Sequence, residues 1–418
     1  MIEEVVDELI NDRRVVISFI NVTPWWGGNE FGYTFDDEGN VTYPTANGIV
    51  GKTRWFMRNV LAQALGEDFS GIDEKYFKDL GTLNNKSRIT VRVIKERGDV
   101  EPYYFTKKEA ACAFKKYLEE KDYCNKDKLF SSSLSPIDEY LMYFCVPRFK
   151  LAHLGQNDPM FYYHNQPAKP RSIRIKVEII NNGASKEFFE FFKTSLIFTM
   201  KYMGIGRVAT RGFGRFIPEN QNSQTDLEKD LEKLEKNLNQ ITGKEAALKD
   251  IKEEVNIGKV EKPHLFNYNE NESISIHGKS PIVYLIAIGN ATLKVAWKIF
   301  EGKSYKDHGY KYHTWPLGLP RRQGGLGYFL EEDKEGRRIS YITISPNCDG
   351  YECKEIYLIP FIYEEEEARK IRHREKYKHK EKYKIVEKQV VEEGKSVRSY
   401  VEMALKQLKL ILSGGHNA

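Results

Sequence analysis

Apolar positions along this chain fall into short alternating runs and longer helical stripes, and the two kinds interleave. Arg14–Asn21 (RVVISFIN) is a β-branched and aromatic run closed by Thr23-Pro24, which predicts a strand. Lys52–Leu65 joins strong helix formers with apolar residues at Trp55, Phe56, Val60, Leu61 and Ala64, and Gly66 stands where the helix should stop. Arg88–Ile94 and Arg171–Ile180 alternate and predict strands, the first with Arg88 and Arg92 or their neighbours facing out. Between them, Thr106–Glu120 reads as a helix. Lys186–Met203 is apolar around too much of its circumference for a surface helix, so it is expected to pack on a sheet.

The second half continues the mixture. Residues 218–226 are polar and turn-rich, a linker candidate. Beyond them Leu227, Leu231, Leu234, Leu238, Ile241, Leu248, Ile251 and Val255 trace a heptad seam on a charged helix. Gly243 interrupts the seam, which allows two helices folded back on each other. Val401, Leu405, Leu408 and Leu412 repeat the pattern, and these helices are candidates to pack together. Pro281–Ile288, Ile339–Ile344 and Glu355–Ile362 read as strands and Ala291–Phe300 as a helix. Arg369–Lys388 carries ten Lys/Arg against three Glu, with Glu364–Glu367 before it. Acid at the start and base further on suit a solvated helix, with RNA or an acidic protein as the alternative contact. The element order predicts two α+β units, residues 1–220 and 221–418.

A chain of 418 residues exceeds what one core usually supports, and 40% hydrophobic content excludes a disordered chain. The net charge is only +5, so a polyanion surface must come from local clustering. Five Cys without a CxxC pair exclude a secreted disulfide framework and a four-ligand zinc site. Cys348 and Cys353 could meet across a turn, but idle thiols in a reducing cytosol are the expectation. The acidic N-terminus is no signal peptide, and no window approaches a membrane span. A cytoplasmic protein with no membrane partner is expected. The sequence holds no Walker loop, GxGxxG after a strand, HExxH or GxSxG. Its nine His are scattered, with His153 and His313 beside basic or Gly-rich segments. No cofactor, metal or catalytic residue is assigned.

The candidate chemistry is anion binding. Residues 204–216 (GIGRVATRGFGRF) set Arg207, Arg211 and Arg215 four apart among Gly204, Gly206, Gly212 and Gly214, with no acid between Lys201 and Pro218. Glycines supply positive φ and small bulk, and successive N–H groups in such a turn form an anion nest. A second cluster is Gly51-Lys52-Thr53-Arg54 running into Arg58. Lys52 is expected at a helix start, with Arg54 and Arg58 on one face. Trp25, in Thr23-Pro24-Trp25-Trp26-Gly27-Gly28, and Trp55 are candidate stacking platforms. Arg321 and Arg322, followed by Gly324, Gly325 and Gly327, repeat the style of a basic pair on a Gly-rich connection. Ordinary surface arginines and core tryptophans are the plain alternatives.

Taken in order, these segments resemble the RAMP proteins of CRISPR systems, most of all the largest RAMP subunit of type III-B Cmr effector complexes. The resemblance rests on the Gly-rich loop, on Thr23, Pro24, Trp25, Gly27 and Gly28, on Gly51, Arg54, Trp55, Phe56 and Arg58, and on Gly318-Leu319-Pro320 with Arg337, Arg338 and Ser340. Val50 stands where the family carries a basic residue, with Lys52 close after it. The resemblance implies two ferredoxin-like (RRM-like) domains with additional long helices. It also implies a non-catalytic subunit that contacts the 3′ region of the guide RNA and captures target RNA among other Cmr subunits. A metal-independent guide-processing endoribonuclease and a purely architectural subunit are the rival readings.

Overall fold

The computed structural model describes residues 13–27, 36, 38, 40–81, 86–96, 173–219, 226–245, 248–267, 272–275, 279, 281–292, 314–318, 321–323, 326–332, 340–349, 352–362, 368–379 and 382–414. The helix expected at Thr106–Glu120, most of the 218–226 linker, and His153 and His313 lie outside them.

The first half runs β1 (Arg14–Asn21), α1 (Ala46–Leu65), α2 (Phe69–Tyr76), β2 (Ile89–Glu96), β3 (Arg174–Asn181), α3 (Lys186–Phe198) and β4 (Phe216–Pro218). The strands form one antiparallel sheet in the order β2-β3-β1-β4. Strand, helix, two strands, helix, strand in that spatial order is the ferredoxin-like arrangement. Each boundary has a local cause. The Thr45 side chain accepts the Gly48 N–H and starts α1 six residues earlier than the apolar stripe suggested. Gly66, at φ 70°, closes α1 by donating its N–H to the Ala62 carbonyl. Ser185 caps α3 by accepting from the Phe188 N–H, and the helix continues as a π-helical turn, Thr199–Met203, that stops at Gly204. Phe188, Phe189, Phe191 and Phe192 are all buried, and Phe56 of α1 stacks on Phe198 at 4.9 Å.

The second half comprises α4 (Leu227–Thr242), α5 (Lys249–Gly258), β5 (His264–Asn267), β6 (Glu272–Ser275), α6 (Pro281–Ala291), β7 (Arg321–Gln323), β8 (Leu326–Leu330), β9 (Ile342–Cys348), β10 (Cys353–Pro360), β11 (Ile371–His379), β12 (Lys382–Gln389) and α7 (Val397–Leu412). β9 and β10 pair antiparallel, and Val260 bridges antiparallel to Ile356 of β10. α6 and α7 pack on each other and on this pair. β7, β8, β11 and β12 make a separate antiparallel sheet in the order β12-β11-β8-β7.

Four expectations change. Pro281–Ile288 is helical, because a short apolar run fits either periodicity and its contacts with α7 and β9 decide. Arg369–Lys388 is a hairpin, in which alternation buries Ile371 and His373 and leaves Arg372 and Arg374 half exposed. The leucine seam is no coiled coil. Gly243 in the left-handed region ends α4, whose Leu231, Leu234 and Leu238 are buried where α4 packs on α3, whereas α5 packs on β10 and α7. Cys348 and Cys353 are joined by a disulfide across the β9–β10 hairpin instead of standing as separate thiols.

Truncating Leu234 to Ala is expected to cost about 2–5 kcal/mol of stability in denaturant unfolding, the range for a buried Leu. A loss below ~1 kcal/mol would show that α4 does not seat on α3.

Candidate nucleic-acid interface

The Gly-rich loop is a self-packed turn zipped to the segment after β1. Ile205 N–H donates to the Gly214 carbonyl at 2.9 Å, Gly214 N–H to the Pro24 carbonyl at 2.9 Å, and Arg207 N–H to the Trp26 carbonyl at 2.7 Å. Gly206 and Gly214 sit at φ 90° and 63°. A Cβ on Gly206 would lie 2.7 Å from the Trp25 ring, and one on Gly214 would run into the Ile205 carbonyl. Gly212 faces the second half of the molecule, where a Cβ would stand 2.6 Å from Pro346. These glycines allow protein to approach protein.

The arginines of the loop divide accordingly. Arg211 and Arg215 are 5% and 0% exposed, a departure from the phosphate-facing role expected of them. The Arg211 guanidinium donates to the Leu317 carbonyl and, at 3.4 Å, to the Ser340 hydroxyl. Arg215 donates to the Ser345 hydroxyl and the Ile344 carbonyl, both at 3.2 Å. Both therefore tie the loop to β9 and the segments beside it. Arg207 is half exposed and Gly206 exposed, so they are the solvent-facing part of the loop. Trp25 is 1% exposed, donates its indole N–H to the Thr42 carbonyl at 2.8 Å and meets Phe216 edge-on, so neither ring face is open to a base.

On α1 the cations are also largely engaged. Arg58 grips Asp73 of α2 with two nitrogens, one at 2.6 Å, and Arg54 lies 3.5 Å from the same carboxylate while donating to the Gly81 carbonyl. The expected phosphate ligands are thus neutralised by an acid in the next helix; the i, i+4 spacing revealed their common face but not that partner. Lys52 is the seventh residue of α1, not its start, so its own N–H belongs to the helical ladder. Its ammonium lies 3.9 Å over the half-buried Trp55 ring, which in turn meets Phe361 edge-on at 6.1 Å. Burial, then the charge of Arg215, pulls Lys52 down to about 7. Burial alone holds Arg215 at about 9, and one of its terminal guanidinium nitrogens has no hydrogen-bond partner. Neither cation has a carboxylate partner among the described residues. Lys52 and Arg215 are therefore a mutually repelling pair assembled from α1 and the Gly-rich loop. This juxtaposition is the one that sequence spacing could not reveal, because the two residues lie in different elements.

Arg321 and Arg322 stand on β7, opposite Tyr328 and Gly327 of β8, in a different sheet from the α1 and loop cations. Among the described residues no group of three or more His, Cys, Asp or Glu could hold a metal ion, and no helix is long and apolar enough to cross a membrane.

Comparison with known proteins places these features in context. The family model described as the RAMP superfamily matches residues 19–217, a span running from β1 to β4. No match is found among curated protein sequences. Among solved structures the chain is similar to apo Cmr1 from Pyrococcus furiosus, at 13% identity and TM-score 0.43, covering 84% of this chain and 89% of that one. It is also similar to a chain of the type III-B Cmr-beta complex bound to cognate target RNA, at 14% identity and TM-score 0.46, covering 96% and 99%. Cmr6 from Pyrococcus furiosus matches at 12% identity and TM-score 0.25, over 50% of this chain and 99% of its own.

The two halves of the glycine pattern should behave oppositely. Gly214→Ala is expected to destabilise the chain by about 2 kcal/mol or more, through its positive φ and the Ile205 carbonyl. Gly51→Ala, in open space inside α1, should stabilise it by about 0.5–1 kcal/mol. Thermal unfolding of both variants checks the pair.

Proposed function

We propose that the chain, whose residues 19–217 match the RAMP superfamily model, is a non-catalytic RNA-binding subunit of a type III-B CRISPR (Cmr) effector complex. It works in the cytoplasm with guide RNA, target RNA and other Cmr subunits as its partners. The observation that carries this reading is the Lys52–Arg215 pair. Lys52, half exposed on α1 beside the buried Arg215, has depressed proton affinity and no carboxylate partner among the described residues, so its energy falls when an anion reaches it. A phosphate of the RNA backbone supplies that anion without reading a base. Arg207 and Gly206, exposed on the same loop, extend the surface. Arg211 and the inner glycines hold the site in shape.

Fluorescence anisotropy of the purified chain with single-stranded RNA, with and without EDTA, tests the reading. Binding without cleavage is expected. Absence of binding, or cleavage in EDTA to 2′,3′-cyclic phosphate ends, would overturn it, the latter in favour of an endoribonuclease.

The proton affinity of Lys52 gives a second check. Its ammonium is charged below about 7 and neutral above, so RNA affinity should fall as pH rises from 6 to 8. Lys52→Met should bind more weakly, lose this pH dependence, and show a salt slope reduced by about 0.7, one contact for a single strand. Stability carries the opposite sign. The folded value lies below the unfolded 10.5, so the unfolded chain binds more protons between about 7 and 10.5, and stability rises with pH across that window. Lys52→Met should flatten that rise.

A further inference from the structure

A lysine drawn away from water ordinarily gives its ammonium to a carboxylate. Lys201 follows that rule: it is 7% exposed and paired with Asp230. Lys52 does not. Its nitrogen lies 3.9 Å over the Trp55 ring, and it has no carboxylate partner among the described residues. Trp55 and Phe56 both meet Phe361 edge-on, so the surroundings of the lysine are aromatic. The other charges of α1 are already matched, Arg54 and Arg58 with Asp73 of α2. Arg215, fully buried, is the charge that acts on Lys52, and it opposes protonation. Burial first and this guanidinium second hold the amine at about 7. The residue is nevertheless half exposed, so a small reagent from solvent can reach it.

Desolvation and a second cation nearby are the means by which proteins turn lysine into a nucleophile. At pH 7 about half of Lys52 is neutral, against about one in 2,500 of lysines at the ordinary value near 10.4. A neutral amine attacks the carbonyl carbon of an activated acyl group. With acetyl phosphate the N–C bond forms and the C–O bond to phosphate breaks. Phosphate leaves with the electron pair, and the amine proton passes to solvent. The products are an amide and inorganic phosphate, and no oxidant or reductant takes part. The amide carries no charge, so the repulsion from Arg215 ends. It also brings a carbonyl acceptor near a guanidinium that has a terminal nitrogen without a hydrogen-bond partner.

We propose that Lys52 is a reactive amine, a site of Nε-acylation by acyl phosphates, and that acylation withdraws the positive charge that α1 offers to RNA. The effect on RNA rests on the RNA-binding reading above; the reactivity of the amine does not.

The test begins with the full, unsubstituted chain, so no variant has to fold. It is treated with limiting acetyl phosphate beside a free lysine peptide, digested, and the acetylated sites are quantified by mass spectrometry. A weaker base is also a weaker nucleophile, which offsets part of the advantage. At pH 7 an excess of about tenfold over the free peptide is expected, and Lys52 should also outpace the exposed Lys229 and Lys249. The rate at Lys52 should level off above about 7, whereas that of the free peptide climbs on towards about 10.4. Equal rates at pH 7, or one shared pH profile, would overturn the proposal. Labelling needs no RNA, so this result is independent of whether the chain binds any. In anisotropy with single-stranded RNA, the chain acetylated at Lys52 and Lys52→Gln should bind more weakly, with a salt slope lower by about 0.7, while Lys52→Arg keeps the parent's slope. If Lys52 is acetylated first and the acetylated chain still binds RNA like the parent, control of RNA binding is overturned and the reactive amine stands.

Discussion

The junction between the two halves depends on two buried guanidinium groups. Arg211 and Arg215 leave the Gly-rich loop and end on Ser340, Ser345 and the carbonyls of Leu317 and Ile344, residues more than a hundred positions away in sequence. A buried guanidinium is tolerated only when donors find acceptors. This requirement fixes the loop against β9, and Gly212 must be bare to let Pro346 approach. The same constraint brings Arg215 to Lys52, so the packing that joins the halves also creates the unneutralised pair on which the functional reading rests.

The fold was legible where the apolar pattern was long or bracketed by turn chemistry. β1 matches its expected boundaries, and Gly66 stops α1 in the left-handed region as its position suggested. The fully apolar stripe of Lys186–Met203 does pack in the core, with the added detail of a π-helical last turn. Failures came from segments whose pattern admits two periods. Pro281–Ile288 is apolar on every side, so alternation and helix are equally satisfied and only its neighbours choose. Arg369–Lys388 shows the reverse case: charge counting drew attention away from the alternation of Ile371, Arg372, His373 and Arg374 that marks a strand.

The candidate site was legible in its chemistry and not in its geometry. Glycine and arginine spacing identified a loop with special backbone needs, and four of its glycines adopt positive φ. Spacing could not tell whether the space thus opened admits a ligand or another part of the protein. The structure gives the larger share to the protein: Trp25 fills the space over Gly206, and Asp73 claims Arg54 and Arg58. What remains for a ligand is decided by which cations lack an acid, a property of the assembled fold.

The long reach of the Arg211 and Arg215 hydrogen bonds has a consequence for how the protein is made. Synthesis proceeds from the N-terminus, and domains generally fold as units as they emerge. The ferredoxin-like half is complete before residues 340–345 exist, so for that interval both guanidinium groups lack their acceptors. A fragment ending near residue 220 would freeze this unfinished state, with extra cations bared beside Lys52. Such a fragment would cling to any polyanion in the cell, and its apparent affinity would overstate that of the finished chain.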